Sequence, residues 1–270
     1  FTATKMLLLS EKDVKEALTM KDVINAVVDA YCDYSKHLVD VPSRITMHVR
    51  GEANSAIFLT ANYQTLPYYG IKQASSFPAN RNKGKNTVFA DIHIYSADTG
   101  EPLAMVSASH LTAMKTGAAS AVATKYLAND RESVLAVIGT GVQARTQLEG
   151  IQQVRPLKQV RLYDMDEMKV KRFSNSVQDI KNGDYPVVIS PSADDCIEGA
   201  DIVVTATTSA KPVFSGDHIQ KGTHINAIGS FTPFMQEIDT RTILKANKIV
   251  TDNSEETWTV AGDLLVPFEK

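Results

Sequence analysis

The chain has only two cysteines, Cys32 and Cys196, in 270 residues. They lie far apart, with no C-x-x-C pair and no neighbouring histidine pair. That argues against a disulfide framework or a structural zinc site and suits a reducing compartment. Long apolar runs are also lacking. No stretch approaches the roughly 20 residues a membrane helix needs, and the N-terminus shows no signal-peptide core. Position 1 is phenylalanine, so processing or added residues are expected ahead of Met6. Excess charge of either sign is missing: the net charge is −3, which gives no reason to expect nucleic acid or a membrane surface as partner. One short basic run, Arg81, Lys83 and Lys85, reads as a solvated loop. The six histidines show no metal-ligand spacing such as H-E-x-x-H, so no metal is expected. What remains is a soluble chain of cytoplasmic type, with 43% hydrophobic and 22% charged residues, long enough for two domains.

The fold class expected is α/β, with an N-terminal α+β domain over 1–128 and a Rossmann dinucleotide-binding domain over 129–270. In the first part, Leu7-Leu8-Leu9 is a short apolar run, and Ser10 with Asp13 resembles a helix start. Val23, Ile24, Val27, Val28 and Tyr31 then recur at helical spacing after Thr19. Short alternating segments follow at Ile45–Val49, Ala56–Leu59, Ile71–Ser75, Thr87–Tyr95 and Leu103–Val106, broken by Gly, Pro and Asn turns. They predict one largely antiparallel sheet, with a hairpin turn at Ala97-Asp98-Thr99-Gly100. Ser107–Leu127 reads as a helix dense in Gly and Ala, built for close packing. After Asn129-Asp130 the texture becomes strand–helix alternation. Buried parallel strands are expected at Ser133–Ile138, Val160–Tyr163, Ile202–Ala206, His224–Ile228 and Lys248–Val250.

The apolar run Ser133–Ile138 leads straight into Gly139-Thr140-Gly141-Val142-Gln143-Ala144, a G-x-G-x-x-A turn. Its first glycine permits the tight turn, its second lets the backbone approach a pyrophosphate, and Ala144 allows close helix–strand packing. A helix starting near Val142 and Gln143 would aim its N-terminal amides at the phosphates. The next strand ends in Asp164, 23 residues after Gly141, where the fingerprint places an acidic partner for the ribose 2′-hydroxyl. A carboxylate there favours NAD(H) over NADP(H); its alternative role is to end a turn. Asp166 reads as a helix start.

Further motifs accompany that turn: Pro42-Ser43-Arg44, Gly70-Ile71-Lys72, Ser76-Phe77-Pro78-Ala79-Asn80, Lys115-Thr116-Gly117-Ala118-Ala119-Ser120, Val204-Thr205-Ala206-Thr207-Thr208, His224–Gly229 and Ala261-Gly262-Asp263-Leu264. With them the chain resembles the ornithine cyclodeaminase/mu-crystallin family over nearly its whole length. The resemblance implies a substrate and dimerisation domain ahead of the Rossmann domain, a homodimer, and NAD(H)-dependent oxidoreduction of a small α-amino or α-imino acid, as in imine reductases and amino-acid dehydrogenases. It also implies a further C-terminal segment packing back toward the first domain, which is expected to be missing after Lys270.

Carried over residue by residue, the resemblance makes Arg44 the carboxylate arginine and Lys72 a carboxylate-binding lysine able to move a proton. It places Lys115 beside both substrate and cofactor, and Thr87 next to cofactor and substrate as well. Cofactor contacts are further implied at Thr205, Ile228 and Ser230. Arginine suits a carboxylate because its fork makes two parallel hydrogen bonds. Two positions depart from the family. Lys115 stands where arginine is common, keeping the charge and losing the fork. Phe231 stands where ornithine cyclodeaminases carry the aspartate that handles the side-chain amine. Phenylalanine can neither accept a proton nor pair with ammonium, so conversion of ornithine to proline plus ammonia is the second choice. A dinucleotide-binding protein without turnover is the third.

Overall fold

The computed structural model describes residues 5–51 and 53–268. It divides into two compact units, Phe1–Lys115 and Thr116–Lys270. In chain order the first unit runs β1 (Leu7–Leu9), α1 (Glu11–Ala17), α2 (Met20–Ser35), β2 (Val39–Asp40), β3 (Ile45–His48), β4 (Ser55–Tyr63), β5 (Tyr68–Ser76), β6 (Val88–Ser96), β7 (Pro102–Ser107) and the start of α3 (Ser109–Leu127). Ser10 and Thr19 begin α1 and α2 as N-caps, each in a reciprocal capping box with Asp13 and Asp22 respectively. Helix α2 buries Met20, Val23, Ile24 and Val27, the stripe its spacing predicts.

The seven strands form one sheet in the order β1-β7-β6-β5-β4-β2, with β3 also on β4. Only β1 on β7 is parallel. The register decides which residues share a face, because directly opposed side chains point the same way. Leu59, Lys72, Ile92 and Val106 form one row across four strands. Phe58, Gln73 and Asp91, one residue out of step, line the other face.

The second unit continues α3 and then runs β8 (Ser133–Ile138), α4 (Val142–Val154), β9 (Leu157–Tyr163), α5 (Glu167–Ser176), β10 (Val187–Ile189), α6 (Ala193–Ile197), β11 (Ile202–Thr205), β12 (His224–Ala227), α7 (Thr240–Lys245), α8 (Ser254–Val260) and α9 (Gly262–Phe268). Its five-stranded sheet is wholly parallel in the order β10-β9-β8-β11-β12. Leu135, Val137, Leu148, Ile151, Val160 and Leu162 belong to one buried cluster, and Ala136, Ile138, Cys196, Ile197 and Val203 to another. A parallel sheet with an apolar cluster on each face is the doubly wound Rossmann arrangement.

One expectation needs correction. Lys248–Val250 is not a strand: Ile249 and Val250 are exposed in irregular chain. The fifth strand is instead β10, at the edge beside β9, whose three residues are too few and too exposed to stand out as a buried run. The contacts also divide the chain inside α3, earlier than the change of texture at residue 129. The cause is visible in α3 itself. Gly117 lies so close to α4 that a Cβ there would stand 2.1 Å from the Thr146 carbonyl oxygen, so the C-terminal part of the helix packs as part of the Rossmann unit.

Candidate functional site

The cofactor turn sits where the strand order reverses, between β8 with β9 and β10 on one side and β11 with β12 on the other. That is the place where doubly wound sheets bind ligands. Gly139 has φ +89°, and a Cβ there would meet Ala206 O at 2.6 Å, so only glycine fits. Gly141 faces open space and caps α4 without any side-chain hydrogen bond, so the first amides of α4 are not used by a cap. Gln143 is half-buried, and its Oε1 is buried without a hydrogen-bond partner among the described residues. Open space, uncapped amides and an unused acceptor suit a pyrophosphate and its sugar. Gly139, Gly141, Val142, Gln143 and Asp164 come together here.

Asp164 binds its own turn. Oδ2 accepts from Thr140 N–H at 2.8 Å and Thr140 Oγ1–H at 2.9 Å, and Oδ1 accepts from Asp166 N–H at 3.0 Å. Burial works against its charge, but the hydrogen bonds from Asp166 and Thr140 win and hold the carboxyl below its ordinary value. Asp166 caps α5, as its position predicts.

In the first unit, Lys72 lies in the row Leu59–Lys72–Ile92. Burial pushes its ammonium below the ordinary lysine value, and the nearby Lys115 charge adds to the shift. Arg44 directly precedes β3. One step beyond the Ile45–Phe58 pair, it falls in register with Leu59 and so shares the face of Lys72. Two strand spacings put its backbone about 10 Å from that of Lys72, within reach of two long side chains converging on one anion. Thr87 is not part of this group. It precedes β6, its carbonyl accepts from Phe77 N–H at 2.7 Å, and it lies five residues along the strand from the Ile92 that faces Lys72.

The ends of β11 and β12 hold the remaining candidates. Ile228 N–H donates to Thr205 O at 3.0 Å. Thr205 is fully buried, and its hydroxyl donates to Glu237 at 2.8 Å. Ser230 donates to Met235 O at 2.7 Å and accepts from Asp263 N–H at 3.2 Å. Phe231 is 58% exposed in the loop after β12. Asp239, further on, is spent as the N-cap of α7 and on Gly216 N–H. Two buried carboxylates, Glu237 and Asp263, escaped sequence reasoning; the only hint was the Ala-Gly-Asp-Leu motif.

The ornithine cyclodeaminase/mu-crystallin family model matches residues 4–268. A Delta(1)-pyrroline-2-carboxylate reductase of Bacillus cereus is 37% identical over 265 residues, covering 98% of this chain and 81% of that protein. The Thermococcus litoralis Delta(1)-pyrroline-2-carboxylate reductase, solved with NADH and L-proline, superposes with a TM-score of 0.92 at 34% identity, covering 98% of this chain and 81% of that one. An archaeal alanine dehydrogenase dimer with bound NAD superposes with a TM-score of 0.90 at 32% identity, covering 98% and 79%. The chain belongs to the ornithine cyclodeaminase/mu-crystallin family.

Proposed function

We propose that Arg44, Lys72 and Lys115 hold the carboxylate of a cyclic α-imino acid, and that Lys72 gives a proton to its nitrogen. The chain is an NAD(H)-dependent oxidoreductase of the amino/imino-acid type. Gly139, Gly141, Val142, Gln143 and Asp164 would hold the cofactor, which when bound would supply the hydride for the α-carbon. The chain's own residues supply position and charge. A carboxylate set against Lys72 and Lys115 relieves the repulsion between the two ammonium groups and fixes the α-carbon, and fixed geometry accounts for much of such a rate gain. Thr205, Ile228 and Ser230 belong to the strand ends that complete the cofactor side.

The observation carrying this reading is the half-buried Lys72, depressed by burial and by Lys115, in the row that Arg44 joins. A five-membered imino acid is favoured because Delta(1)-pyrroline-2-carboxylate reductases are among the relatives, and one solved neighbour holds L-proline. In the loop after β12, Phe231 stands where a carboxylate would meet a side-chain amine, Ser230 is committed, and the loop's own carboxylates, Glu237 and Asp239, are spent on hydrogen bonds to Thr205, Thr207 and Gly229 and to Gly216 and Thr242. That supports reduction over cyclodeamination. The division of labour follows: a substrate-binding and dimerising first unit, and a dinucleotide-binding second one.

The test is NADH oxidation with Delta(1)-pyrroline-2-carboxylate, run beside ornithine. Turnover of the imino acid that falls sharply in Arg44→Ala and Lys72→Ala supports the reading. Ornithine consumed to proline and ammonia without net NADH oxidation would sink it.

A further inference from the structure

Glu237 is fully buried, and both of its carboxylate oxygens are used. Oε1 accepts from Thr207 N–H at 2.6 Å. Oε2 accepts from Thr205 Oγ1–H at 2.8 Å and from Gly229 N–H at 2.7 Å. All three partners are donors. Thr205 and Thr207 lie at and beyond the carboxyl end of β11, and Gly229 lies just beyond β12, so one side chain ties two strand-end loops together.

The side chain is itself anchored. The backbone N–H groups of Glu237 and Ile238 both donate to Asp263 Oδ1, at 2.6 and 2.9 Å. Asp263 N–H donates to Ser230 Oγ, which closes the chain of contacts back onto the β12 loop. Two buried carboxylates so near each other are costly. Their cost is offset only because each is surrounded by donors.

The tied loops sit on one side of the reversal in strand order. The Gly139 turn and Asp164, on β8 and β9, serve the adenosine and pyrophosphate half of a dinucleotide; the ends of β11 and β12 lie on the side left for the nicotinamide half. We propose that Glu237 is a positioning residue whose buried carboxylate holds the β11 and β12 loops in the shape that receives the nicotinamide half of the cofactor. This rests on the cofactor assignment above and goes beyond it, because Glu237 acts without touching the reacting atoms.

The donor set makes the proposal sharp. Glutamine has the same shape, but its amide nitrogen would point at least one N–H group toward Thr207 N–H or toward Gly229 N–H and the Thr205 hydroxyl. The carboxylate cannot be replaced without setting donor against donor.

The experiment compares dissociation constants for NADH and for ADP-ribose, which carries the adenosine and pyrophosphate groups without nicotinamide. The proteins are the unaltered chain, Glu237→Gln, Thr205→Val and Thr205→Ser, each checked for folding by near-ultraviolet circular dichroism. Glu237→Gln is expected to weaken NADH by at least about tenfold while ADP-ribose changes by less than about twofold. Thr205→Val should show the same selectivity more weakly, and Thr205→Ser, which keeps the hydroxyl donor, should restore binding. Equal weakening of both ligands, or weakening of neither, would overturn the proposal, since a purely structural carboxylate has no reason to choose. If Glu237→Gln fails to fold, the Thr205 pair decides by the same criterion. ADP-ribose failing to bind the unaltered chain is a separate result, one that removes the dinucleotide assignment itself.

Discussion

In the proposed reaction Lys72 carries the proton, and its environment sets a definite pH signature. Burial and Lys115 both hold its pKa below the usual 10.5. It carries its proton below that lowered pKa and loses it above. Reduction of an imine needs the proton, so kcat/KM should decline on the basic side earlier than an ordinary lysine would allow. Lys72→Arg keeps a cation that does not deprotonate in the working range, so it should move the basic limb upward whatever it costs in rate. An unchanged limb would take Lys72 out of the proton path. Removing a charge proposed to bind the carboxylate is a larger insult: a hydrogen bond to a charged group is worth about 1.5–3 kcal/mol, so Arg44→Ala and Lys72→Ala should each lower kcat/KM by about 10- to 150-fold. Asp263 offers a second titration, one that shows in stability. Burial, reinforced by the Glu237 charge, raises its carboxyl from 3.8 to about 6 despite the hydrogen bonds from Ile238 and Glu237. The folded state therefore prefers the protonated form, and the stability this contributes is present below the ordinary value and lost as pH rises through about 6. Asp263→Asn cannot ionise, so its stability relative to the unaltered chain should improve with pH across that window, by up to about 3 kcal/mol. Urea unfolding at the two ends of the window measures it, and a constant difference would refute it.

At the scale of elements, the contact between α3 and α4 shows why composition and structure had to be read together. Gly117 lies inside a helix, where alanine is normally better by roughly 1 kcal/mol. Here the added methyl would stand 2.1 Å from Thr146 O, and a Cβ added at Gly150 across the contact would stand 2.4 Å from Gly117 O. The obstacle is backbone, which cannot rotate away. Gly117→Ala should therefore destabilise by about 1–3 kcal/mol or more in urea unfolding, against the propensity trend. A gain in stability would mean the helices are not in this contact. The small-residue run of α3 was legible in sequence, and so were the Ser10–Asp13 helix start, the G-x-G-x-x-A turn and most strands, because each is a local pattern with a local cause. Lys248–Val250 misled because β-branched residues were mistaken for burial. Glu237 stayed invisible for a deeper reason. Its meaning depends on Thr205, Thr207, Gly229 and Asp263, up to 32 residues away in sequence, and no spacing rule links them.

The whole molecule poses the question of what covers the first unit's sheet. Lys72, Leu59, Ile92 and Val106 occupy one face. On the opposite face, register aligns Met47 with Ala56, Ser75 and Phe89, and Ile45 with Phe58, Gln73 and Asp91. Tyr69 stacks on Tyr95 at 5.1 Å in the same layer. Ile45, Met47 and Phe89 are 67%, 50% and 48% exposed, and Leu8, which joins this face through Met105 and His93, is 66% exposed. An isolated large apolar side chain on a surface needs no explanation, but a row of them across one sheet face marks an interface. A second copy of the chain is the proposed cover. It agrees with the dimer seen in the archaeal alanine dehydrogenase neighbour. Symmetric pairing would bring each of these residues close to its own counterpart or to a neighbour of it, so one charge placed there acts on both sides of the interface. Sedimentation of the unaltered chain should give twice the chain mass at micromolar concentration. Phe89→Glu or Met47→Asp should shift it toward the single-chain mass, while Lys72→Ala, on the opposite face, should leave the mass unchanged. A chain that sediments as a monomer, or a dimer indifferent to both charged substitutions, would mean that this face is not where the copies meet.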